Sequence, residues 1–177
     1  TNDAPTISST AITSATEDAA YSYTTTASDV DSGDVVTLAC TTVPSWLTCT
    51  AGALSGTPAD ANVGSHSVVI TASDVAGAAA TDSFTITVAN TNDAPAISST
   101  AVTAASEDAA YSYAITTSDD DSDSSDSWTI TSTSVSWLTL THTAGASTAT
   151  LVGIPDDGDV GSYSVTLTVA DAAGASS

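Results

Sequence analysis

The stretch Asp82-Ser83-Phe84-Thr85-Ile86-Thr87-Val88-Ala89-Asn90-Thr91-Asn92-Asp93-Ala94-Pro95 decides the fold. Its first part alternates with a period of two, Phe84, Ile86 and Val88 on one face and Thr85 and Thr87 on the other, which is the pattern of a strand with one wet face. Its last five residues restart the chain, because Thr91-Asn92-Asp93-Ala94-Pro95 repeats Thr1-Asn2-Asp3-Ala4-Pro5. A strand that closes one module therefore runs into the beginning of the next.

The repeat extends well beyond the linker. Ile7-Ser8-Ser9-Thr10 returns as Ile97-Ser98-Ser99-Thr100, and Glu17-Asp18-Ala19-Ala20-Tyr21-Ser22-Tyr23 as Glu107-Asp108-Ala109-Ala110-Tyr111-Ser112-Tyr113, at an offset of 90 residues. After small insertions Ser45-Trp46-Leu47-Thr48 aligns with Ser136-Trp137-Leu138-Thr139, Gly56-Thr57-Pro58 with Gly153-Ile154-Pro155, and Val63-Gly64-Ser65 with Val160-Gly161-Ser162. The chain thus reads as two modules, 1–90 and 91–177, each near the size of a β-sandwich.

Period two recurs inside both modules. Val68, Ile70 and Ala72 alternate with Ser67, Val69 and Thr71, and Tyr163, Val165, Leu167 and Val169 repeat the pattern in module two. Thr, Val, Ile and Tyr dominate these runs while Asp, Gly, Pro and Ser fill the gaps. No segment carries a sustained helical stripe. Short strands between frequent turn signals predict an all-β protein of two tandem Greek-key sandwiches. Module two is expected to lack its last strand, since nothing after Ala170-Asp171-Ala172-Ala173-Gly174 matches Asp82 to Ala89. Either a longer array continues the chain, or a neighbouring subunit supplies the strand by β-augmentation.

Composition narrows the function. The chain has no Lys or Arg against 21 Asp and Glu, a formal net charge of −21. It offers no basic patch to phosphate, so nucleic acid is a poor partner, and no apolar run in it is long enough for membrane insertion. Cations are good partners. Cys40 and Cys49, the two cysteines, predict a disulfide within a hairpin and an oxidising compartment outside the cell. Closing so short a loop contributes roughly 2.5 to 3 kcal/mol on the loop-entropy account. Module two has Thr131 and Leu140 at the matching places, so the bridge is an optional staple.

An enzyme lacks parts. The histidines are His66 and His142; His66 has core-facing parity with Tyr163 as its counterpart, and neither has a marked nucleophile beside it. A carbohydrate-binding surface module is the alternative, resting on exposed aromatic faces. Trp46 and Trp137 recur beside Leu47 and Leu138, which suits a packing role; Trp128, with Val36 opposite it, is either a platform for a glycan or core.

Calcium needs six to eight oxygen ligands, which a short Asp-x-Asp loop, a linker and a distant Glu can together supply. Asp29-Val30-Asp31 and Asp119-Asp120-Asp121 follow the tyrosine strands, and Glu17 and Glu107 precede them. A sandwich gathers loops at one end although they are far apart in sequence. Solvated acidic surface is the competing reading. Asp18, Asp108, Asp60, Asp157 and Asp159 fit surface or turn-capping roles better.

With these pieces placed, the chain resembles the bacterial cadherin-like and dystroglycan-type repeats, also described as immunoglobulin-like repeats of large surface proteins. The resemblance rests on Asn92-Asp93-Ala94-Pro95, Pro44-Ser45-Trp46-Leu47, Leu54-Ser55-Gly56-Thr57-Pro58, Val63-Gly64-Ser65-His66-Ser67-Val68 and the turn at Asp74. It implies a seven-strand sandwich, head-to-tail stacking, Ca2+ between modules and no catalysis. It also assigns the ends: Glu17 meets Asn92 and Asp93 of the linker, joined by Asp119, Asp121 and Asp171 of module two. By the same rule Asn2, Asp3, Asp29, Asp31 and Asp74 face a preceding module and Glu107 a following one. The chain departs from the cadherin pattern in having no Asp-Arg-Glu segment, which implies one or two ions per junction rather than three. The expected function is a structural, adhesive module of a cell-surface stalk or filament, stiffened by calcium and partnered by copies of the same repeat; a filament subunit joined by donor-strand exchange is a further alternative.

Overall fold

The computed structural model describes residues 1–121 and 129–177. Trp128, weighed above as platform or core, lies outside the described residues. The chain forms two compact units, Thr1–Thr91 and Asn92–Ser177. Among the described residues both are all-β, with single 3-10 turns at Asp60–Asn62 and Asp157–Asp159 and no helix long and apolar enough to cross a membrane.

Unit 1 contains β1 (Thr6–Ile7), β2 (Ser14–Thr16), β3 (Tyr21–Thr24), β4 (Ala27–Ser28), β5 (Thr37–Thr42), β6 (Leu47–Thr50), β7 (Ala53–Gly56), β8 (Gly64–Ser73) and β9 (Ala79–Ala89). One sheet runs β2-β9-β8-β5 and the other β3-β7-β6, with β1 paired to β4 alongside. The amino-terminal strand is split between the layers: β1 pairs antiparallel with β4, then β2 crosses to run parallel to β9. Tyrosines hold this crossing in place, since the Tyr21 hydroxyl donates to the Ile12 carbonyl at 2.7 Å and the Tyr23 hydroxyl bonds Ser9 Oγ at 2.8 Å. Burial, with Tyr23 adding to it, pushes the Tyr21 hydroxyl up to about 12, so it stays a proton donor.

The core lies between the layers and joins alternate residues of five strands: Tyr21 and Tyr23, Leu47, Leu54, Val68 and Ile70, and Ile86. Each fully buried aliphatic side chain contributes on the order of 1.5–3 kcal/mol. Trp46 packs edge-on to both Tyr21 and His66, and the His66 ring also bonds the Asn62 carbonyl at 2.6 Å. Gly56 lies where a Cβ would run into the Trp46 carbonyl oxygen, and Gly153 stands in the same relation to Trp137. Both units need a glycine there for the tryptophan backbone to come close.

Cys40 on β5 and Cys49 on β6 are disulfide-bonded. The bridge does not close a hairpin. β5 pairs with β8 in one sheet and β6 with β7 in the other, so the bond ties the two layers across one edge of the sandwich. The connection through Val43 to Trp46 carries the chain from one layer to the other instead of turning it back on itself.

Unit 2 contains β10 (Ala96–Ile97), β11 (Tyr111–Ser118), β12 (Thr129–Ser132), β13 (Leu138–His142), β14 (Thr148–Gly153) and β15 (Leu167–Ala170). β10-β11-β14-β13 form one sheet and β12-β15 the other, around Tyr113, Ile115, Ile130, Leu151 and Val169. The alternation that begins at Tyr163 becomes strand only from Leu167. Thr166 is bonded to Thr133 beside β12, but among the described residues 162–165 have strand sequence without a ladder partner, and a ladder needs both sides of its hydrogen bonds.

Candidate metal site

The turn between β4 and β5 carries Asp29-Val30-Asp31-Ser32-Gly33-Asp34, and the turn after β8 carries Asp74. Gly33 adopts φ +100°, a conformation that side-chained residues avoid, and this returns Asp34 toward the loop's start. One carboxylate oxygen from each of Asp29, Asp34 and Asp74 then lies within 4.8 Å of the others.

Backbone and amide donors fix the other oxygens. Gly77 N and Ala78 N donate to Asp74 Oδ1 at 2.7 and 2.9 Å, and Asn2 Nδ2 donates to Asp74 Oδ2 at 2.7 Å. Asp3 N donates to Asp31 Oδ2 at 2.7 Å and Asp31 N to Asp29 Oδ1 at 2.9 Å. Asp29 Oδ2 is buried with no hydrogen-bond partner. A buried carboxylate oxygen left in this way is costly unless a cation meets it.

The electrostatics are divided. The Asn2 amide, followed by the backbone N–H groups of the turn, holds the Asp74 carboxyl below its ordinary value. Burial, then the charges of Asp29, Asp31 and Asp74, pushes Asp34 up. With no Lys or Arg in the chain, no side-chain cation except a protonated histidine can relieve that repulsion. Hard oxygen donors, crowded carboxylates and an orphaned oxygen fit a calcium-type ion.

Unit 2 rebuilds the arrangement bond for bond. Asn92 Nδ2 donates to Asp171 Oδ2 at 2.8 Å, Asp93 N to Asp121 Oδ2 at 2.7 Å, and Gly174 N and Ala175 N to Asp171 Oδ1 at 2.6 and 2.9 Å. Asp121 N approaches Asp119 Oδ1 at 3.3 Å, and Asp119 Oδ2 is again buried without a partner among the described residues. Asn92 leads the groups that hold Asp171 below its ordinary value. Of the residues singled out from sequence, Asn2, Asp3, Asp29, Asp31 and Asp74 thus gather in unit 1, and Asn92, Asp93, Asp119, Asp121 and Asp171 in unit 2.

The two glutamates part company. Glu17 is 2% exposed, accepts from Thr91 N at 2.6 Å through Oε1 and leaves Oε2 unpartnered. Glu107 is exposed and joins neither cluster. Asp34 was not anticipated from sequence; the one hint is a glycine two residues after Asp-x-Asp, and only its positive φ brings Asp34 back to the cluster. Asp18 and Asp108 take φ +55° and +57° in the turns before β3 and β11.

A sequence profile described as "Putative Ig domain" matches residues 4–89 and again 94–177. The chain belongs to that family. These two Putative Ig domains have no match among curated proteins. Among solved structures they are similar to Protocadherin Gamma B2 extracellular cadherin domains 3-6, at 21% identity and TM-score 0.63, covering 98% of this chain and 45% of that one. PcdhgB3 EC1-4 matches at 19% identity and TM-score 0.64, over 98% and 47%. An endo-fucoidan hydrolase of glycoside hydrolase family 107 matches at 29% identity but TM-score 0.45, over 98% of this chain and 27% of its own. The chain spans less than half the length of each of these solved chains. Family and fold together make it a tandem pair of immunoglobulin-like, cadherin-like β-sandwich repeats.

Proposed function

We propose that the chain is a structural and adhesive segment of an extracellular stalk or filament, whose modules take up calcium at their ends and so stiffen the joints between them. The observation that carries this reading is the repetition of the Asn–Asp–Asp–Asp constellation in both units, each with a buried carboxylate oxygen that has no hydrogen-bond partner among the described residues. The recurrence follows the sequence repeat, but solvated surface charge would not leave a carboxylate oxygen buried and unpartnered in each unit. The interlayer disulfide favours an oxidising compartment.

In this reading Asp29, Asp34 and Asp74, with Asn2, Asp3 and Asp31 beside them, hold an ion in unit 1, and Asp119, Asp121 and Asp171, with Asn92 and Asp93, hold one in unit 2. Glu17 is the ligand that module one would offer to the junction with module two, and Glu107 its counterpart toward a following module. A divalent ion supplies the positive charge that these carboxylates lack. The residues do the rest: Asn2 and Asn92 orient one aspartate each, and the linker backbone orients Asp31 and Asp121. Neighbouring copies of the repeat are the proposed partners, and the cell surface the proposed location.

Calorimetric titration of chelator-treated protein with CaCl2, with melting and small-angle scattering in calcium and in chelator at matched ionic strength, tests this reading. Binding at about 0.1 to 1 mM, as in other extracellular modules, with a higher melting temperature and a more rigid scattering profile is expected. No heat and superimposable curves in the two conditions would reduce the acidic residues to solvated surface.

A further inference from the structure

Asp157 is the one aspartate of the chain that is followed by glycine, and no asparagine is. The pair lies in the 3-10 turn Asp157–Asp159 after β14, where both residues are exposed. Unit 1 has the same turn at Asp60–Asn62, with Ala59-Asp60-Ala61-Asn62 where unit 2 has Asp156-Asp157-Gly158-Asp159. In both, the last side chain of the turn accepts from the backbone nitrogen before it: Ala59 N donates to Asn62 Oδ1 at 3.0 Å and Asp156 N to Asp159 Oδ2 at 3.1 Å. One backbone arrangement thus carries two different covalent chemistries.

The glycine is not there for its conformation. Gly158 does not take a left-handed φ, a Cβ added to it would meet only the tip of the Asp156 side chain, at 3.1 Å, and Ala61 fills the same position in unit 1. What glycine changes is access. With no Cβ its nitrogen is unshielded, and the chain itself holds that nitrogen and the Asp157 carboxyl carbon where they can close a five-membered ring. The Gly158 N–H already donates to Asp156 Oδ1 at 2.8 Å, so a proton acceptor is bonded to the nitrogen that has to give up its hydrogen. Unit 1 has alanine at the place of Asp156, and its Asp60 Oδ1 is buried.

We propose that Asp157–Gly158 is a self-modifying site, at which unit 2 converts an aspartate to isoaspartate through a cyclic imide while the matching turn of unit 1 stays intact. Gly158 N attacks Cγ of the protonated Asp157 carboxyl. The N–Cγ bond forms, the amide proton passes by way of Asp156 Oδ1 to the departing hydroxyl, and one water leaves. Solvent water then opens the ring at either carbonyl, restoring aspartate or leaving the main chain routed through Cβ and Cγ. No oxidant, reductant or metal takes part. The added main-chain carbon falls inside the ring closed by Asp159 N and the Asp156 carbonyl, 2.9 Å apart, and so breaks the turn. This inference is independent of calcium.

The test stores the 177-residue chain at body temperature and mildly acid pH for several weeks. Peptic fragments are then read by electron-transfer mass spectrometry, which tells isoaspartate from aspartate by the bond that breaks. Transient loss of one water followed by isoaspartate at Asp157 is expected, at least tenfold faster than at Asp60 or at the serine-flanked Asp31 and Asp82. Gly158→Ala should slow the reaction at least tenfold, and Asp156→Ala, which removes the proton acceptor, severalfold; melting of each variant checks its folding. An unchanged Asp157, or isoaspartate forming equally fast at Asp60, would overturn the proposal. Acceleration by Asp156→Ala would also overturn it, by making the Asp156 bond a guard on the nitrogen.

Discussion

The side-chain amide of Asn2 donates to Oδ2 of Asp74 at 2.7 Å, across 72 residues of sequence, and Asn92 repeats the bond to Asp171 at 2.8 Å. An Asn amide can neutralise nothing, but by holding Oδ2 while two turn N–H groups hold Oδ1 it fixes the orientation of the carboxylate. Both bonds tie the segment before the first strand of a unit to the turn after the strand carrying Val68 or Val169. They therefore shape the acidic end of each unit through protein groups alone.

These bonds set a pH dependence. Asp74 and Asp171 titrate below their ordinary value of 3.8 in the folded chain. Their ionised forms therefore stabilise the fold at any pH above that value, and the contribution is lost as pH falls through the folded values. Chemical denaturation in chelator from pH 6 to pH 2 is expected to show this loss in the parent chain. The double variant Asn2→Ala, Asn92→Ala should be less stable at pH 6 and should lose less on acidification, so that the two curves converge in acid.

Asp34 has the opposite sign. Burial and its acidic neighbours raise it, so its ionised form destabilises the fold increasingly as pH rises through the folded value, and below 3.8 the penalty is absent. Asp34→Asn should accordingly melt higher than the parent at pH 7 in chelator and match it near pH 3. In calcium the order should reverse. On the proposed calcium reading, loss of a charged ligand weakens binding to unit 1 by about tenfold or more, and thermal melts across a calcium series would read both effects.

The disulfide is a staple between layers, and its removal should act on unit 1 alone. Cys40→Ser with Cys49→Ser is expected to lower the stability of that unit by about 3 kcal/mol, the loop-entropy value for so short a loop. Residue-resolved hydrogen exchange can separate the units. Faster exchange in β5 and β6 with unchanged exchange in β13 and β14 is the expected outcome; a uniform loss across both units would contradict a local staple.

Much of the fold was legible because alternation reports burial directly: Tyr21 and Tyr23, Val68 and Ile70, Ile86 and Val88 all face the core as their parity demands. The linker repeat at Asn92-Asp93 likewise announced the second unit. Less could be read where geometry depends on a partner. Cys40 and Cys49 have the same spacing whether the chain between them turns back in one sheet or crosses to the other, and only the pairing of β5 with β8 decides it. Tyr163 and Val165 have strand parity, but parity supplies no neighbour to bond. Asp34 was hidden because the positive φ of Gly33, rather than spacing, brings it to Asp29 and Asp74.

Gly56 and Gly153 offer a test of the packing itself. Each lies at the end of a strand, β7 or β14, directly against the carbonyl of the tryptophan that precedes β6 or β13, and an added Cβ would meet that backbone first and, at Gly153, the Trp137 ring as well. Relief therefore requires the Pro44–Trp46 or Val135–Trp137 turn to move outward, which would disturb the edge-on contacts of Trp46 with Tyr21 and of Trp137 with Tyr111. Overpacking of this kind costs typically about 1–3 kcal/mol. Gly56→Ala should destabilise unit 1 and Gly153→Ala unit 2, each with changed near-ultraviolet circular dichroism from its tryptophan. Unchanged melting of both variants would mean that the turn yields freely and that the glycines are not required by the close approach of the chain.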